Sequence, residues 1–435
     1  MIGERLAVQA ARLAGREFLW SPSRTISYES FRSEVERCAD SLHAVRGMRV
    51  GLSGTSTAWL VRHLFALDTV EASTCLVAPG MALADADHHI RLGLQAWVSE
   101  AEGIRLFAAP REPHVRGQLI LHTSGTLGRS RAALHTWESL AARVRLHPKL
   151  DGSTWLLTYD LTTFAGLQVL LHVLFNGGTL IMGEGAPAAL ARQAAKARAT
   201  HISGTPSFFR LLLSSSASED LDGLHPRQIT LGGEATDNRL LKALAQRFPS
   251  ARISQIYAST EAGACFSVED GQEGFPASYL SETTLGVELR IVDDELWVRS
   301  SRGMQGYLGE LDPGDAEGFL PTGDVVEVRG DRVFFRGRTG ERINVGGRKA
   351  YPGEIEAAVL EVAGVQAVRV QAASSPLLGQ IVTAAVVWGG GDDLEDARAR
   401  IVRHCGGRLR AYMVPRVIEF VPTLDLTSNG KVRRV

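Results

Sequence analysis

The chain has 435 residues, room for two or three domains and a large core. It is 45% hydrophobic and 22% charged, an ordinary globular balance, and its formal net charge of −1 gives no global field to draw in nucleic acid or an anionic membrane. Four scattered cysteines (Cys38, Cys75, Cys265, Cys405) form no CxxC pair, which argues against a disulfide scaffold or zinc site and fits a reducing, cytoplasmic setting.

Residues 1–24 carry an amphipathic pattern through Leu6, Ala10 and Leu13, then a turn at Ser21-Pro22-Ser23. No basic segment followed by an apolar core opens the chain, so no secretory signal is expected, and no apolar run approaches the roughly eighteen residues of a membrane span. Ser27-Tyr28-Glu29-Ser30 reads as a helix start, with Phe31, Val35, Cys38 and Leu42 at helical spacing. A strand is expected at 48–52, a helix at 56–71 and a strand at 73–77. After an apolar strand at 118–121 the alternation resumes: strands at 154–158 and 178–182 around an apolar helix at 164–175, a strand at 201–205 before a helix at 206–214, and buried strands at 228–233 and 252–257. From about 283 the texture changes to short hairpins, 287–292 with 295–299 around Asp293-Asp294, and 325–328 with 333–336 around Gly330-Asp331. The last block, 341–435, reads as a small α+β unit with helices at 353–362 and 393–408 and strands at 365–372 and 380–388. The expected fold class is therefore α/β. A large N-terminal domain of layered α/β sheets with a small β-barrel-like region (1–339) precedes a small α+β C-terminal domain (341–435).

The densest chemistry follows the 118–121 strand, in His122-Thr123-Ser124-Gly125-Thr126-Leu127-Gly128-Arg129-Ser130-Arg131. Hydroxyls and the backbone N–H groups of a Gly-rich turn can wrap a polyphosphate, and arginines add charge-assisted hydrogen bonds. The stretch lacks the spacing of a Walker A loop, and on its own it also reads as a polar surface turn. Downstream come Tyr257-Ala258-Ser259-Thr260-Glu261, placed after a strand, where a Tyr can stack on a purine and a Glu can hold a hard cation. Next are Thr322-Gly323-Asp324, read as a turn before a strand, where a carboxylate can accept ribose hydroxyls. Gly337-Arg338 opens a block running to Gly346-Gly347-Arg348, and Gly430-Lys431 sits near the C-terminus.

These five motifs, in this order over roughly 26–434, resemble the adenylate-forming superfamily of acyl- and aryl-CoA synthetases, stand-alone adenylation domains and luciferases. The family loop Thr-Ser-Gly-Thr-Thr-Gly-x-Pro-Lys matches 123–131, its Tyr-Gly-x-Thr-Glu matches 257–261, and its Thr-Gly-Asp matches 322–324. The forms Leu231-Gly232-Gly233-Glu234-Ala235 and Gly346-Gly347 are closest in style to o-succinylbenzoate– and benzoate–CoA ligases. The resemblance implies a two-step ligase: a carboxylic acid and ATP give acyl-AMP and pyrophosphate, then a thiol displaces AMP. It implies Mg²⁺ on Glu261, Thr260 at the α-phosphate, and Lys431 bridging the carboxylate and the α-phosphate. Thr123, Ser124, Gly125, Thr126, Gly128 and Arg131 would cradle the outer phosphates. Asp324 and Arg338 would fix the ribose, and Gly233, Glu234, Ala235 and Tyr257 would line the adenine slot. Gly340 would be the hinge of a mobile lid, and Gly346 and Gly347 would line the path of CoA or of a carrier protein's phosphopantetheine. Thr163, Phe164, Phe208, Ala258 and Cys265 are candidates for the acid pocket, with a small, aromatic acid expected.

The chain departs from the family pattern at several of these positions. Arg131 replaces a Lys and forks where the Lys is a point charge. Ser130 replaces a Pro, Gly340 a hinge Asp or Lys, and Ala258 a Gly, while Thr163 stands where many CoA ligases have a gating His. Asp160 reads as a strand-end residue rather than an amine-binding one, His122 and His135 as packing or phosphate-adjacent rather than catalytic residues, and Arg348 and Lys349 as a solvated pair. Two other readings stay open: an adenylation enzyme that loads a carrier protein, and a non-catalytic adenylate-binding homologue. The expected partners are a small carboxylic acid and CoA or an acyl carrier protein, without nucleic acid or membrane, in a monomer or homodimer.

Overall fold

A computed structural model describes residues 2–79, 92–107, 117–123, 131–215, 218–283, 286–310, 313–391 and 393–424. The expected alternation of strands and helices builds two mostly parallel sheets. In the eight-stranded sheet the order is Gly263–Val268, Arg252–Ser259, Gln228–Gly232, His201–Gly204, Thr154–Leu157, Thr179–Ile181, Glu17–Trp20 and Thr25–Ser27. Only the two edge pairings are antiparallel. The six-stranded sheet runs Gly103–Leu106, Ala96–Ser99, Arg49–Ser53, Ser73–Leu76, Gln118–Thr123, Arg131–Thr136, again with antiparallel edges.

Parallel strands covered on both faces need apolar side chains in both directions. Trp155 and Leu157 enter one core, while their neighbour Leu156 enters another with Ile202 and Ile229. The first core is shared by both sheets: Val50, Leu52, Leu119 and Leu121 meet Phe18, Leu19 and Leu180 through the helices Ile2–Leu13, Tyr28–Ser41, Thr57–Thr69 and Phe164–Asn176. Local sequence fixes where these helices start. The Ser27 hydroxyl accepts from the Ser30 N–H, as its place before Tyr28 requires, and Asp237 caps Asn238–Arg247 in the same way.

The Phe164–Asn176 helix enters through a tight corner. Thr163 is its N-cap: the hydroxyl accepts from Gly166 N–H and donates to the Asp160 carbonyl. A Cβ on Gly166 would lie 2.2 Å from that carbonyl oxygen. Gly166→Ala should therefore cost about 2 kcal/mol through overpacking, read as a lower urea midpoint at unchanged slope.

The region expected to be barrel-like is a five-stranded antiparallel sheet, Phe275–Pro276, Arg332–Arg338, Leu320–Arg329, Glu295–Ser300, Val287–Val292. Asp293 and Asp294 turn the last hairpin with φ of 49° and 65°, the left-handed pair that a two-residue turn needs. The remaining unit, from Ile343 on, has strands Ile343–Val345, Arg348–Ala350, Val365–Ser375, Gly379–Trp388 and Val417–Phe420. These pack on the helices Pro352–Leu360 and Leu394–Arg408 around Ile355, Val359, Ile401 and Cys405. Among the described residues no helix is long and apolar enough to cross a membrane.

The small unit sits on the rest of the chain through polar contacts. Arg336 pairs with Glu354 at the start of Pro352–Leu360, and Arg239 donates to the Leu360 and Val362 carbonyls at that helix's far end. Beside them a small void of about 20 Å³ remains between the helix Pro206–Ser215 and the strand Val365–Ser375, lined by Leu211, Leu360, Ala367, Val368 and Leu424.

Candidate active site

Parallel strands direct ligands to their carboxyl ends, and several of the residues singled out in the sequence, Thr123, Gly233, Glu234, Thr260 and Glu261 among them, lie there. Two of those placements need correcting. Tyr257 does not follow a strand: it lies inside Arg252–Ser259, which turns through Thr260 and Glu261 into the antiparallel Gly263–Val268. Asp324 does not precede a strand either. It lies within Leu320–Arg329, directly across from Arg338, one residue before a β-bulge at Val325/Val326.

This register creates the first cluster. Arg338 Nε donates to Asp324 Oδ1 at 2.8 Å, and Tyr257 Oη donates to Asp324 Oδ2 at 2.7 Å. Burial, then the Asp324 charge, pushes the Tyr257 phenol far above its usual range, so it stays a donor. The same carboxylate is the largest influence holding Arg338 charged. The Tyr257 ring is already stacked with Phe266 (5.1 Å between centroids) and Phe335 (5.2 Å).

Four residues along the chain, Glu261 anchors a second cluster. Its Oε1 accepts from Tyr307 Oη at 2.8 Å. Arg131 lies 3.4 Å from the Tyr307 ring centroid, and its Nε donates to Glu310 Oε2 at 2.7 Å. Arg131 is also the cross-strand partner of Thr123, and Tyr307 bridges to Ala133 on the Arg131 strand. Burial first, and then Glu261, raises the Tyr307 phenol, keeping it protonated. Sequence reasoning missed Tyr307. The only local signal was an aromatic two residues after Gln305 and four after Gly303.

His135 supports the turn from beneath. Its Nε2 donates to the Thr260 carbonyl at 2.7 Å, next to Glu261. It is fully buried, and burial lowers its pKa from 6.5 to about 4. The unfolded chain protonates this ring at about 6.5 and the folded one only near 4. Its contribution is therefore complete above pH 6.5 and declines by up to about 3 kcal/mol as pH falls toward 4. Urea midpoints should drop over that window, and His135→Gln should flatten the drop. An unchanged slope in the variant would contradict a buried neutral imidazole.

Glu234 and Gly233 follow the Gln228–Gly232 strand. Gly233 has φ of 85°, and Glu234 Oε2 accepts from Ser207 N–H at the start of the neighbouring helix, while Ala235 is exposed. The acid-pocket candidates separate. Phe164 and Ala258 meet the first core, and the Phe164 ring centroid is 6.0 Å from that of His135. Phe208 is 3% exposed in the second core, and Cys265 is 1% exposed in the antiparallel-sheet core, its thiol pushed up to about 12 by burial. Asp160 Oδ1 accepts from the N–H and hydroxyl of Thr162, the strand-end role read from sequence. Gly340 sits in a single turn, Thr339–Glu341. Gly346 and Gly347 form an exposed hairpin tip whose nearest neighbour is Leu378, so the structure does not bring them to either cluster. Ser124, Gly125, Thr126, Gly128 and Lys431 lie outside the described residues.

The residues present suit an ATP–Mg²⁺ ligand. Glu261 keeps one carboxylate oxygen with no hydrogen bond among the described residues, a hard donor of the kind a divalent cation takes. Arg131, over the Tyr307 ring that donates to Glu261, brings a cation near it, with Thr123 as its cross-strand partner.

A family model described as AMP-binding enzyme matches residues 99–308, and one described as AMP-binding enzyme C-terminal domain matches 354–431. The chain is 27% identical over 348 residues to tyrocidine synthase 3 of Brevibacillus parabrevis, covering 72% of this chain but 5% of that protein. It is 28% identical over 354 residues to indoleacetate–CoA ligase of Aromatoleum aromaticum, covering 75% of this chain and 68% of that one. Its fold matches the crystal structure of an anthranilate CoA ligase in complex with anthranoyl-AMP, with a TM-score of 0.80 and 19% identity over 99% of this chain and 95% of that one.

Proposed function

The chain belongs to the family of AMP-binding enzymes, and on that premise we propose that it is an ATP-dependent acid–thiol ligase acting on a small aromatic acid with CoA as acceptor. One observation carries this reading. A continuous path of contacts runs from Thr123 and Arg131 through Tyr307 to Glu261, and the four-residue link to Tyr257 joins it to Asp324 and Arg338. One nucleotide can span that path, phosphates at one end and ribose at the other.

In the first step a carboxylate oxygen of the acid attacks the α-phosphorus. The bond to the oxygen bridging to the β-phosphate breaks, and pyrophosphate leaves. Two anions must meet, so fixed positive charge and oriented donors matter most. Glu261 would hold Mg²⁺, which would supply charge neutralisation there. Arg131 and the 123–131 hydroxyls steady the departing phosphates, and Lys431 carries positive charge to the attacking carboxylate and the α-phosphate. Asp324 holds the ribose, with Tyr257 and Arg338 fixing its two oxygens. In the second step the thiol sulfur attacks the acyl carbon and AMP leaves with the bonding electrons. The exposed Gly346-Gly347 tip has Leu378 as its near neighbour and no residue of either cluster, so this step would require the small unit to turn, with Gly340 as the pivot.

The decisive experiment is acid-dependent ATP–pyrophosphate exchange over a panel of small aromatic and aliphatic acids, followed by AMP release with CoA or with a phosphopantetheinylated carrier. Exchange with an aromatic acid and CoA-dependent AMP release are expected. No exchange with any acid leaves only a nucleotide-binding protein. Exchange with AMP release on a carrier but not on CoA favours the second reading, a carrier-loading enzyme.

Tyr307 provides a finer test. Tyr307→Phe keeps the ring under Arg131 but removes the hydrogen bond that orients Glu261. The apparent Mg²⁺ requirement of exchange should rise about tenfold, with the melting temperature little changed. An unaltered Mg²⁺ dependence would separate Tyr307 from the metal.

A further inference from the structure

The opposite edge of the eight-stranded sheet carries a second feature that the ligase reading does not use. At the amino ends of its parallel strands an open cleft of about 520 Å³ is lined by Arg145, His147, Lys149, His201, Arg227 and Arg252, with Leu150 and Gln228. Among the described residues no acidic side chain lines it. Among the described residues Arg145, Lys149 and Arg227 make no ion pair. Arg252 is shared with Glu269 and Gln228. In a chain of net charge −1, this is a concentrated positive surface.

The cations are held in place. The buried Asn176 accepts from His147 N–H and donates to the Arg145 carbonyl, pinning the loop that carries three of the basic residues. His147 Nδ1 accepts from Lys149 N–H, which in the neutral ring leaves the proton on Nε2, free to donate. From the other wall, Arg227 and Arg252 project at the starts of adjacent strands tied by Arg252 N–H to the Arg227 carbonyl at 2.9 Å. Burial lowers His201 to about 4, so it lines the cleft as a neutral ring, stacked on Trp155.

We propose that this cleft binds a compact anion bearing several phosphate groups. The volume is that of a small-ligand site, and guanidinium forks match phosphate oxygens in pairs. An extended nucleic acid would need a longer basic track than these six basic residues offer. Arg252 and Ser259 begin and end one strand, so the cleft lies about 20 Å from the nucleotide clusters at 3.3 Å per residue. The two sites are therefore separate.

The test is calorimetric titration of sodium tripolyphosphate into the full chain saturated with AMP, at low and at physiological salt, with inositol hexakisphosphate and ATP as parallel titrants to distinguish an inorganic, a polyol and a nucleotide source. One equivalent should bind, more weakly at the higher salt. The double variant Lys149→Ser/Arg227→Ser should bind at least about tenfold more weakly. Both positions are exposed, so its melting temperature and its AMP affinity should match the parent. Equal affinity in the double variant, displacement of the anion by AMP plus pyrophosphate, or no binding of any phosphate titrant would overturn the proposal. Binding of polyglutamate alone would also overturn it, in favour of an acidic protein segment.

Discussion

Asp324→Ala should weaken AMP binding about a hundredfold and lower the stability of the chain by about 2 kcal/mol. The two losses share one cause. The Asp324 carboxylate accepts from both the Tyr257 phenol and Arg338 Nε. Removing it strands a buried hydroxyl, a defect worth about 1–3 kcal/mol. Arg338 is 38% exposed, so water takes over much of its solvation and adds little to that cost. The ribose would lose a charged acceptor, worth about 1.5–3 kcal/mol per hydrogen bond. Tyr257→Phe separates the two effects: it removes the phenol and keeps the carboxylate, so stability should fall by less and AMP affinity by only a few-fold. Calorimetric titration of AMP and urea unfolding of both variants read the outcome. If Asp324→Ala binds AMP like the parent, the ribose is not held here.

Lys431→Ala should cut acid-dependent pyrophosphate exchange by about a hundred- to a thousandfold, the usual cost of removing one donor aimed at developing charge. Thioester formation from pre-made acyl-AMP should stay within about threefold of the parent. Position 431 reads as a cation needed while two anions approach, and the thiol attacks a neutral acyl carbon after pyrophosphate has gone. Assayed side by side, the two half-reactions should therefore come apart. Equal damage to both would place Lys431 in general architecture instead. Lys431→Arg should recover part of the exchange, since charge returns while shape does not.

Much of the fold could be read in the chain because its cues are local. Ser27 before Tyr28, Asp293-Asp294 between two alternating runs, and the apolar strands at 201–205 and 228–233 each state their structure within a few residues. The motif residues Tyr257, Glu261, Asp324 and Arg338 were legible as a set, although not their setting. A turn and a strand both accommodate Thr-Gly-Asp, and only the register with Arg338 decides between them. Tyr307 was not legible. Its partners Glu261 and Arg131 are remote in sequence, and nothing near it announces them. The setting of the pocket candidates Phe208 and Cys265 was not legible for a related reason. Which face of a helix or strand turns inward depends on layers stacked later, and these two turn into cores of their own. Thr163 illustrates a substitution whose consequence is structural: the residue at the gate position closes the first turn of a helix.

The seam beneath the small unit is made of guanidinium groups, a carboxylate and the carbonyls that end a helix, beside an unfilled gap. Water can replace every one of those polar partners when the unit lifts away. Separation then exposes the apolar lining of that gap, Leu211, Leu360, Ala367, Val368 and Leu424, while water compensates the freed polar groups in part. A joint of this kind is compatible with the turn of the small unit about Gly340 that the proposed two-step reaction would require.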